Sequence, residues 1–324
     1  MESRRNVWMI GLLTCCVAGT TLAADADFKP IFNGKDLTGW DGNPDLWRVE
    51  DGAITGQTTA EKPTRGNTFL IWRQGASVDD FELKLEYRIV GGNSGNQYRS
   101  FEAEKWVVGG YQADIDSGDT FSGILYGERD RGILAKRGEK TVIGEDHKPN
   151  VVGKTGDSSE IQSKIKKEDW NEYHVVARGS RFVHKINGVT TVEVTDEDKL
   201  ADGEKPGRRS SGILALQLHA GPPMKVQFRS IRLKRTPLEA AKKVVFVAGH
   251  SSHGFGAHDH KAGCTLLKNR LERSGAGIAG AVYFPDWPQD PTAFDNANAI
   301  VVYSDGGGGH PIVRHVDEVA ALAK

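Results

Sequence analysis

Between Phe81 and Ile89 the chain alternates without a break. Phe81, Leu83, Leu85, Tyr87 and Ile89 fall on one side, and Glu82, Lys84, Glu86 and Arg88 on the other. Period 2 predicts a strand with one face on a core and one face in water. The stretch NEYHVVARGSRFVHKINGVTTVEV reads as a meander, with Asn187-Gly188 supplying a type I′ hairpin turn, and LWRVEDGAITG predicts a second hairpin around Asp51-Gly52. Upstream of residue 236 no stretch has a convincing helical period, so the pattern predicts an all-β sandwich or barrel. Past Arg235-Thr236-Pro237 the rhythm changes to β-α-β. KKVVFVAG is a continuous apolar strand of the kind buried on both faces of a parallel sheet. GCTLLKNRLERSG predicts a helix with Leu266, Leu267 and Leu271 at helical spacing; AVYFP and AIVVYSDG predict further strands, and HVDEVAALAK opens another helix. A complete doubly wound domain needs roughly twice this length, so the segment 243–324 reads as a partial α/β unit.

Two strands place polar side chains opposite a core face. In GILALQLH, Leu214, Leu216 and Leu218 share one side, which sends Gln217 and His219 to the other. In GGYQADID, Tyr111, Ala113 and Ile115 share one side, which sends Gln112, Asp114 and Asp116 to the other. Amide and ionisable groups set two residues apart on a regular scaffold predict either a groove that hydrogen-bonds sugar hydroxyls or a solvated outer face.

Composition narrows the setting. The 324 residues suffice for about two domains, and 38% hydrophobic with 26% charged residues is a globular balance. Forty-two basic residues against 43 acidic ones, with no long basic stripe, argue against nucleic acid as a partner. Arg4 and Arg5, the apolar run from Val7 to about Ala18, and Thr21-Leu22-Ala23 predict a signal peptide over residues 1–23. The expected mature protein is exported, periplasmic or extracellular, and has no membrane span. It keeps Cys264 alone, so no intramolecular disulfide is expected.

Ten short motifs run in order: FNGKDLTGW, WRVEDGAITG, FELKLEYRI, GGNSGNQYRS, GGYQADI, SGILYGE, WNEYHVVARG, INGV and LQLHAG followed by QFRSIRL. Together they resemble the 3-keto-disaccharide hydrolase domain family over about residues 28–236. The forms GGYQADI and SGILYGE are similar to one branch of it, in which Gln and Asp replace the Glu and Gln of another. The resemblance implies a concanavalin A-like jelly roll acting on a glycoside already oxidised at C3. A ketone at C3 acidifies the proton at C2; its removal gives an enolate that expels the glycosidic oxygen from C1, and water then adds back. That path needs a base working near neutrality, which suits histidine, and donors or a divalent metal around the enolate oxygen. His219 is therefore the expected base, Arg99 the enolate stabiliser and Glu128 a reserve acid, with Gln112, Asp114, Tyr126 and Gln217 positioning the carbohydrate. Two rival readings stand beside this one: a carbohydrate-binding module that only holds sugar, and an ordinary glycosidase, which needs two suitably separated carboxylates.

The C-terminal segment carries six of the ten histidines, with His250, His253, His258 and His260 in one loop after its first strand, where imidazoles can bind a transition metal. This stretch and VVYSDGGGGHP resemble the ThuA-like (trehalose utilisation) domain, which implies a class I glutamine-amidotransferase-like fold. Cys264 falls inside the predicted helix and reads as packing rather than as a nucleophile. SDGGGGHP lacks the Gly-Lys-Ser/Thr of a phosphate loop.

Overall fold

A computed structural model describes residues 27–238, 241–251, 253–254 and 256–323. The expected signal peptide lies outside the described residues. Two sheets form a sandwich. The larger runs Pro149–Lys154, Glu139–Ile143, Val189–Asp196, Arg181–Ile186, Asn171–Arg178, Phe81–Val90, Met224–Arg235, Ala53–Thr58 and Trp47–Glu50, with Lys29–Pro30 also paired to Met224–Arg235. The smaller runs Gly132–Ala135, Leu125–Glu128, Val107–Asp116, Asn93–Glu104, Ile213–Leu218, Thr68–Trp72 and Trp40–Asp41.

The alternating positions read from sequence meet between the sheets. Phe81, Leu83, Leu85, Tyr87 and Ile89 from one sheet share a core with Tyr98, Tyr111, Ala113, Ile115, Leu214, Leu216 and Leu218 from the other. Both predicted hairpins form with positive φ at the two turn residues: 51° and 74° at Asp51-Gly52, and 50° and 80° at Asn187-Gly188. Polar groups also enter the core, and several meet there. His184 meets the Tyr98 hydroxyl at 2.9 Å, and Tyr111 donates to Asp196 across the sandwich at 2.5 Å. Arg131 pairs with the same Asp196 at 2.8 Å and with Asp198 at 2.9 Å. The strand carrying Gln112 and Asp114 is thereby tied through its inward face to the opposite sheet.

Residues 242–323 form a three-stranded parallel sheet, with Lys242–Ala248 central between Ile278–Tyr283 and Ala297–Tyr303. The predicted helix spans His260–Glu272, but its buried residues are His260 and Cys264. Of the leucines at helical spacing, Leu266 and Leu267 are exposed and Leu271 packs against the sheet. The helix is rotated so that Cys264 packs on Val244, Phe246 and Ala248, and burial pushes its thiol up, away from the reactive thiolate. Arg235, at the end of the last sandwich strand, pairs with Asp290 at 3.0 Å and donates to Thr292 at 2.8 Å, so the two units share a buried polar junction.

Candidate active site on the smaller sheet

The outward face of the smaller sheet carries a polar patch where three adjacent strands alternate in phase. Register sets Asn93 opposite Asp116, Gly95 opposite Asp114 and Gln97 opposite Gln112, and next to them Gln112 opposite Tyr126 and Gly110 opposite Glu128. Directly opposed residues share a face, so these side chains gather on the side away from the core. Gln217 reaches the same face from Ile213–Leu218, with His219 one residue beyond that strand. Leu125–Glu128 lies three strand spacings from Ile213–Leu218, roughly 14 Å in a flat sheet. Yet Gln217 donates directly to Glu128 at 3.2 Å, so the face is dished. The depression is a cavity of about 320 Å³ lined by Asn67, Asn93, Asp114, Tyr126, Glu128 and His219, among others, a volume at the small end of small-molecule sites. A second cavity of about 570 Å³ shares Asp116 with it.

One directional chain of hydrogen bonds fixes the amides. Ser100 donates to Gln97 at 2.8 Å, Gln97 to Gln112 at 2.6 Å, and Gln112 to both Asp114 at 3.3 Å and Gln217 at 3.4 Å. Asn93 donates to the second oxygen of Asp114 at 2.7 Å, and Asn67 donates to Glu128 at 3.2 Å. Each carboxylate thus accepts from two neutral amides, and no lysine or arginine lies among the described residues of the wall. Asp114 is 5% exposed. Burial without a cation pushes its carboxyl up to about 7, helped by the charge of Asp116 and opposed by the bonds from Asn93 and Gln112. Burial, backed by Glu128 and Asp114, also pushes the Tyr126 phenol up and keeps it a hydrogen-bond donor.

His219 has its tautomer assigned by geometry. Its Nδ1 lies 2.5 Å from the carbonyl oxygen of Ala220. A carbonyl only accepts, so Nδ1 carries the proton and Nε2 keeps the lone pair. Asn67 fixes this corner, accepting from the Ala220 amide at 3.0 Å while holding Glu128.

The 3-keto-alpha-glucoside-1,2-lyase-like domain matches residues 27–234, which include every wall residue described above. The chain belongs to this family. Membership makes the sandwich a carbohydrate-related domain. Among solved structures, the chain is similar to a Parabacteroides distasonis protein described as a glycosyl hydrolase, at 19% identity and TM-score 0.44, covering 68% of this chain and 98% of that one. It is also similar to the carbohydrate-binding module CBM66 from Bacillus subtilis, at 17% identity and TM-score 0.39, covering 61% and 96%. A third likeness is to SCLam, a non-specific endo-beta-1,3(4)-glucanase, at 14% identity and TM-score 0.38, covering 65% and 92%. No curated protein matches the chain significantly.

In this lyase-like domain the structure brings together Gln112, Asp114, Tyr126, Glu128, Gln217 and His219. Arg99 lies elsewhere, which corrects the expectation that it stabilises an enolate. Regular alternation after Gln97 would put Arg99 in the cleft, but the strand bulges there: the register slips between Tyr98 and Phe101, and Arg99 takes φ 45°. The guanidinium turns to the other side, pairs with Asp80 at 2.7 Å, and donates to the carbonyls of Asp79 and Gly179. Gly212 packs on this bulge, and a Cβ there would sit 2.4 Å from the Arg99 carbonyl carbon. Arg99 is structural, and Arg99→Leu should cost about 3 kcal/mol by stripping a buried carboxylate of its cation. Equilibrium denaturation measures this, and an unchanged midpoint would contradict it.

Asn67, Asn93 and Gln97 complete the site and were missed in the sequence. The signal for two of them was present: Asn93, Gly95 and Gln97 alternate against Ser94, Asn96 and Tyr98. Gly95 makes room for the amide chain, because a Cβ there would lie 2.5 Å from Gln112 Cγ and 2.6 Å from its Cδ. Gly95→Ala should therefore displace Gln112 and cost about 1–3 kcal/mol; a urea midpoint equal to that of the parent would show that the amide has room to move.

Asp114, Glu128 and His219 do not form a cluster of metal-ligating atoms. Among the described residues such a cluster of three occurs in the C-terminal segment instead.

Proposed function

We propose that the sandwich cleaves a glycoside oxidised at C3, by elimination across C1 and C2 followed by hydration, and that it acts after export. The observation that carries the reading is a pair of opposed proton carriers in one sugar-sized cavity: the Nε2 lone pair of His219 and the carboxyl of Asp114, raised to about 7. Family membership supports the keto-sugar substrate.

In this reaction Nε2 of His219 takes the proton from C2. The C–H electrons form the C2–C3 enolate, whose oxygen accepts a hydrogen bond from the protonated carboxyl of Asp114. A neutral acid in a poorly solvated site is a donor suited to a developing oxyanion. The enolate electrons then form the C1–C2 double bond and break the C1–O bond, while the departing oxygen takes a proton from Tyr126, and Glu128, hydrogen-bonded to Asn67 and Gln217, is left as the reserve acid. Water adds its hydroxyl to C1 and gives its other proton back to Tyr126, while His219 returns its proton to C2, giving the keto monosaccharide and restoring both groups. Gln112 and Gln217 are held by the amide chain and present fixed partners to the ring hydroxyls. The parallel β-α-β order of the C-terminal segment supports the ThuA-like reading for an appended unit that takes no part in these steps.

The test supplies a 3-keto-disaccharide and its unoxidised parent in deuterated water. The expected result is monosaccharide from the keto sugar only, with deuterium at C2. Asp114 and Glu128 in one cleft also suit ordinary two-carboxylate hydrolysis; release from the parent without label at C2 would establish that reading. Binding of either sugar without release would make the sandwich a binding module.

A further inference from the structure

The parallel sheet of the C-terminal segment has a crevice that the sandwich reaction does not use. From Lys242–Ala248 the chain crosses through the helix to Ile278–Tyr283 on one side, then returns to Ala297–Tyr303 on the other. The central strand is therefore a switch point, and open α/β sheets bind ligands beyond the carboxyl ends of strands at such points. The loop after Ala248 brings His253, His258 and His260 to that end, and the loop after Tyr303 brings Asp305.

The geometry there is that of a ligand set. One ligating atom from each of His253, His258 and Asp305 lies within 4.8 Å of the other two. Three ligands each about 2.1 Å from one ion stand roughly 3–3.5 Å apart, so closure by about an ångström would complete the set. His258 Nδ1 is already 2.7 Å from Asp305 Oδ1, and the His253 and His258 rings lie with centroids 4.1 Å apart. His258 holds φ 53°, a sparsely populated conformation for a residue with a side chain. Behind them His260 is buried, with Nδ1 2.9 Å from the His250 carbonyl and Nε2 3.5 Å from Asp305 Oδ1. The carbonyl accepts from Nδ1, which fixes the ring with Nε2 facing Asp305. A backbone carbonyl behind an imidazole is also the arrangement that orients metal-binding histidines. His250 departs from the expected four-histidine set, pairing with Asp286 at 2.7 Å.

We propose that His253, His258 and Asp305 bind a divalent first-row transition metal, a site independent of the sandwich cleft. Two imidazoles and one carboxylate suit zinc, nickel, cobalt or iron(II) rather than calcium or magnesium. Three protein ligands leave a coordination position open, the mark of reactive rather than closed structural sites. Asp305 also borders a cavity of about 430 Å³ lined by Asp286, His310, Arg314 and His315, which gives a small anionic or polar ligand access to that position.

The test uses the whole mature chain, without a histidine tag and stripped by chelator, titrated with cobalt(II) and zinc by calorimetry and visible absorption. The expected result is one equivalent bound, a cobalt ligand-field band and a raised Tm. His258→Ala and Asp305→Asn should each weaken binding at least about 100-fold, with far-UV circular dichroism unchanged, while Asp114→Asn should bind as the parent does. The proposal is overturned by the absence of binding, by binding that survives both loop substitutions, or by binding lost in Asp114→Asn.

Discussion

His219→Ala is expected to lower kcat on a 3-keto-disaccharide by about 10²- to 10⁴-fold, the usual worth of a positioned general base. KM should move little, because the amides of Gln112 and Gln217 and the Tyr126 phenol still hold the sugar. The stability midpoint should also hold: His219 is only partly buried, and its hydrogen bond to Ala220 is local. The effect would come from losing the Nε2 lone pair, whose availability depends on Nδ1 being committed to a carbonyl. Exchange of the C2 proton of the keto sugar with deuterated solvent, followed by NMR, isolates the step. The variant should lose exchange and cleavage together. Retained exchange with lost cleavage would remove His219 as the base and make it a leaving-group acid.

The sandwich was legible in the sequence wherever alternation was unbroken. Phe81 to Ile89 and Leu214 to Leu218 each expose one apolar and one polar side, and a one-residue slip would invert them, so the pattern alone assigns their faces. The same logic identified Gln112, Asp114 and Gln217. It failed at Arg99 because a bulge adds one residue to the strand and reverses the assignments that follow, up to a second slip after Glu102, and nothing in NQYRS marks where that happens. Helical spacing alone did not say which leucines face inward: Leu266 and Leu267 are exposed, while Cys264, read as packing, is buried. The meeting of Gln217 with Glu128 was beyond local pattern altogether, since curvature of a sheet is a property of all its strands. Asp305 was invisible for a related reason: it joins His253 and His258 only once two parallel strands deliver their carboxyl ends to one place.

Asp114 carries the second large expectation, and a buried histidine makes it measurable. Its carboxyl is raised from 3.8 to about 7 in the folded chain. Between those values the folded state holds a proton that the unfolded state has released. This contribution to stability is complete below about 3.8 and is lost as pH rises to about 7, a total of about 4 kcal/mol at about 1.4 kcal/mol per pH unit. His184 acts in the opposite sense. Burial beside Tyr98 and Tyr173 depresses its imidazole from 6.5 to about 3, so its contribution is present above 6.5 and lost as pH falls toward 3. From about 3.8 to 6.5 one group binds the proton that the other refuses, and their slopes cancel. Asp114→Asn removes one side of that balance. The variant should gain stability above pH 7 and should lose about 1.4 kcal/mol for each unit of acidification below 6.5 relative to the parent. Urea denaturation at a series of pH values reads the difference directly, and parallel curves for the two proteins would show that Asp114 is ionised throughout. The same carboxyl governs turnover: as Asp114 loses its proton the enolate loses its donor, so kcat/KM should fall above about pH 7 in the parent. Asparagine keeps a donor that does not titrate, so the variant, though slower, should lose that alkaline limb. A limb that persists in Asp114→Asn would belong to another group and would leave the raised carboxyl as a structural cost of the cleft.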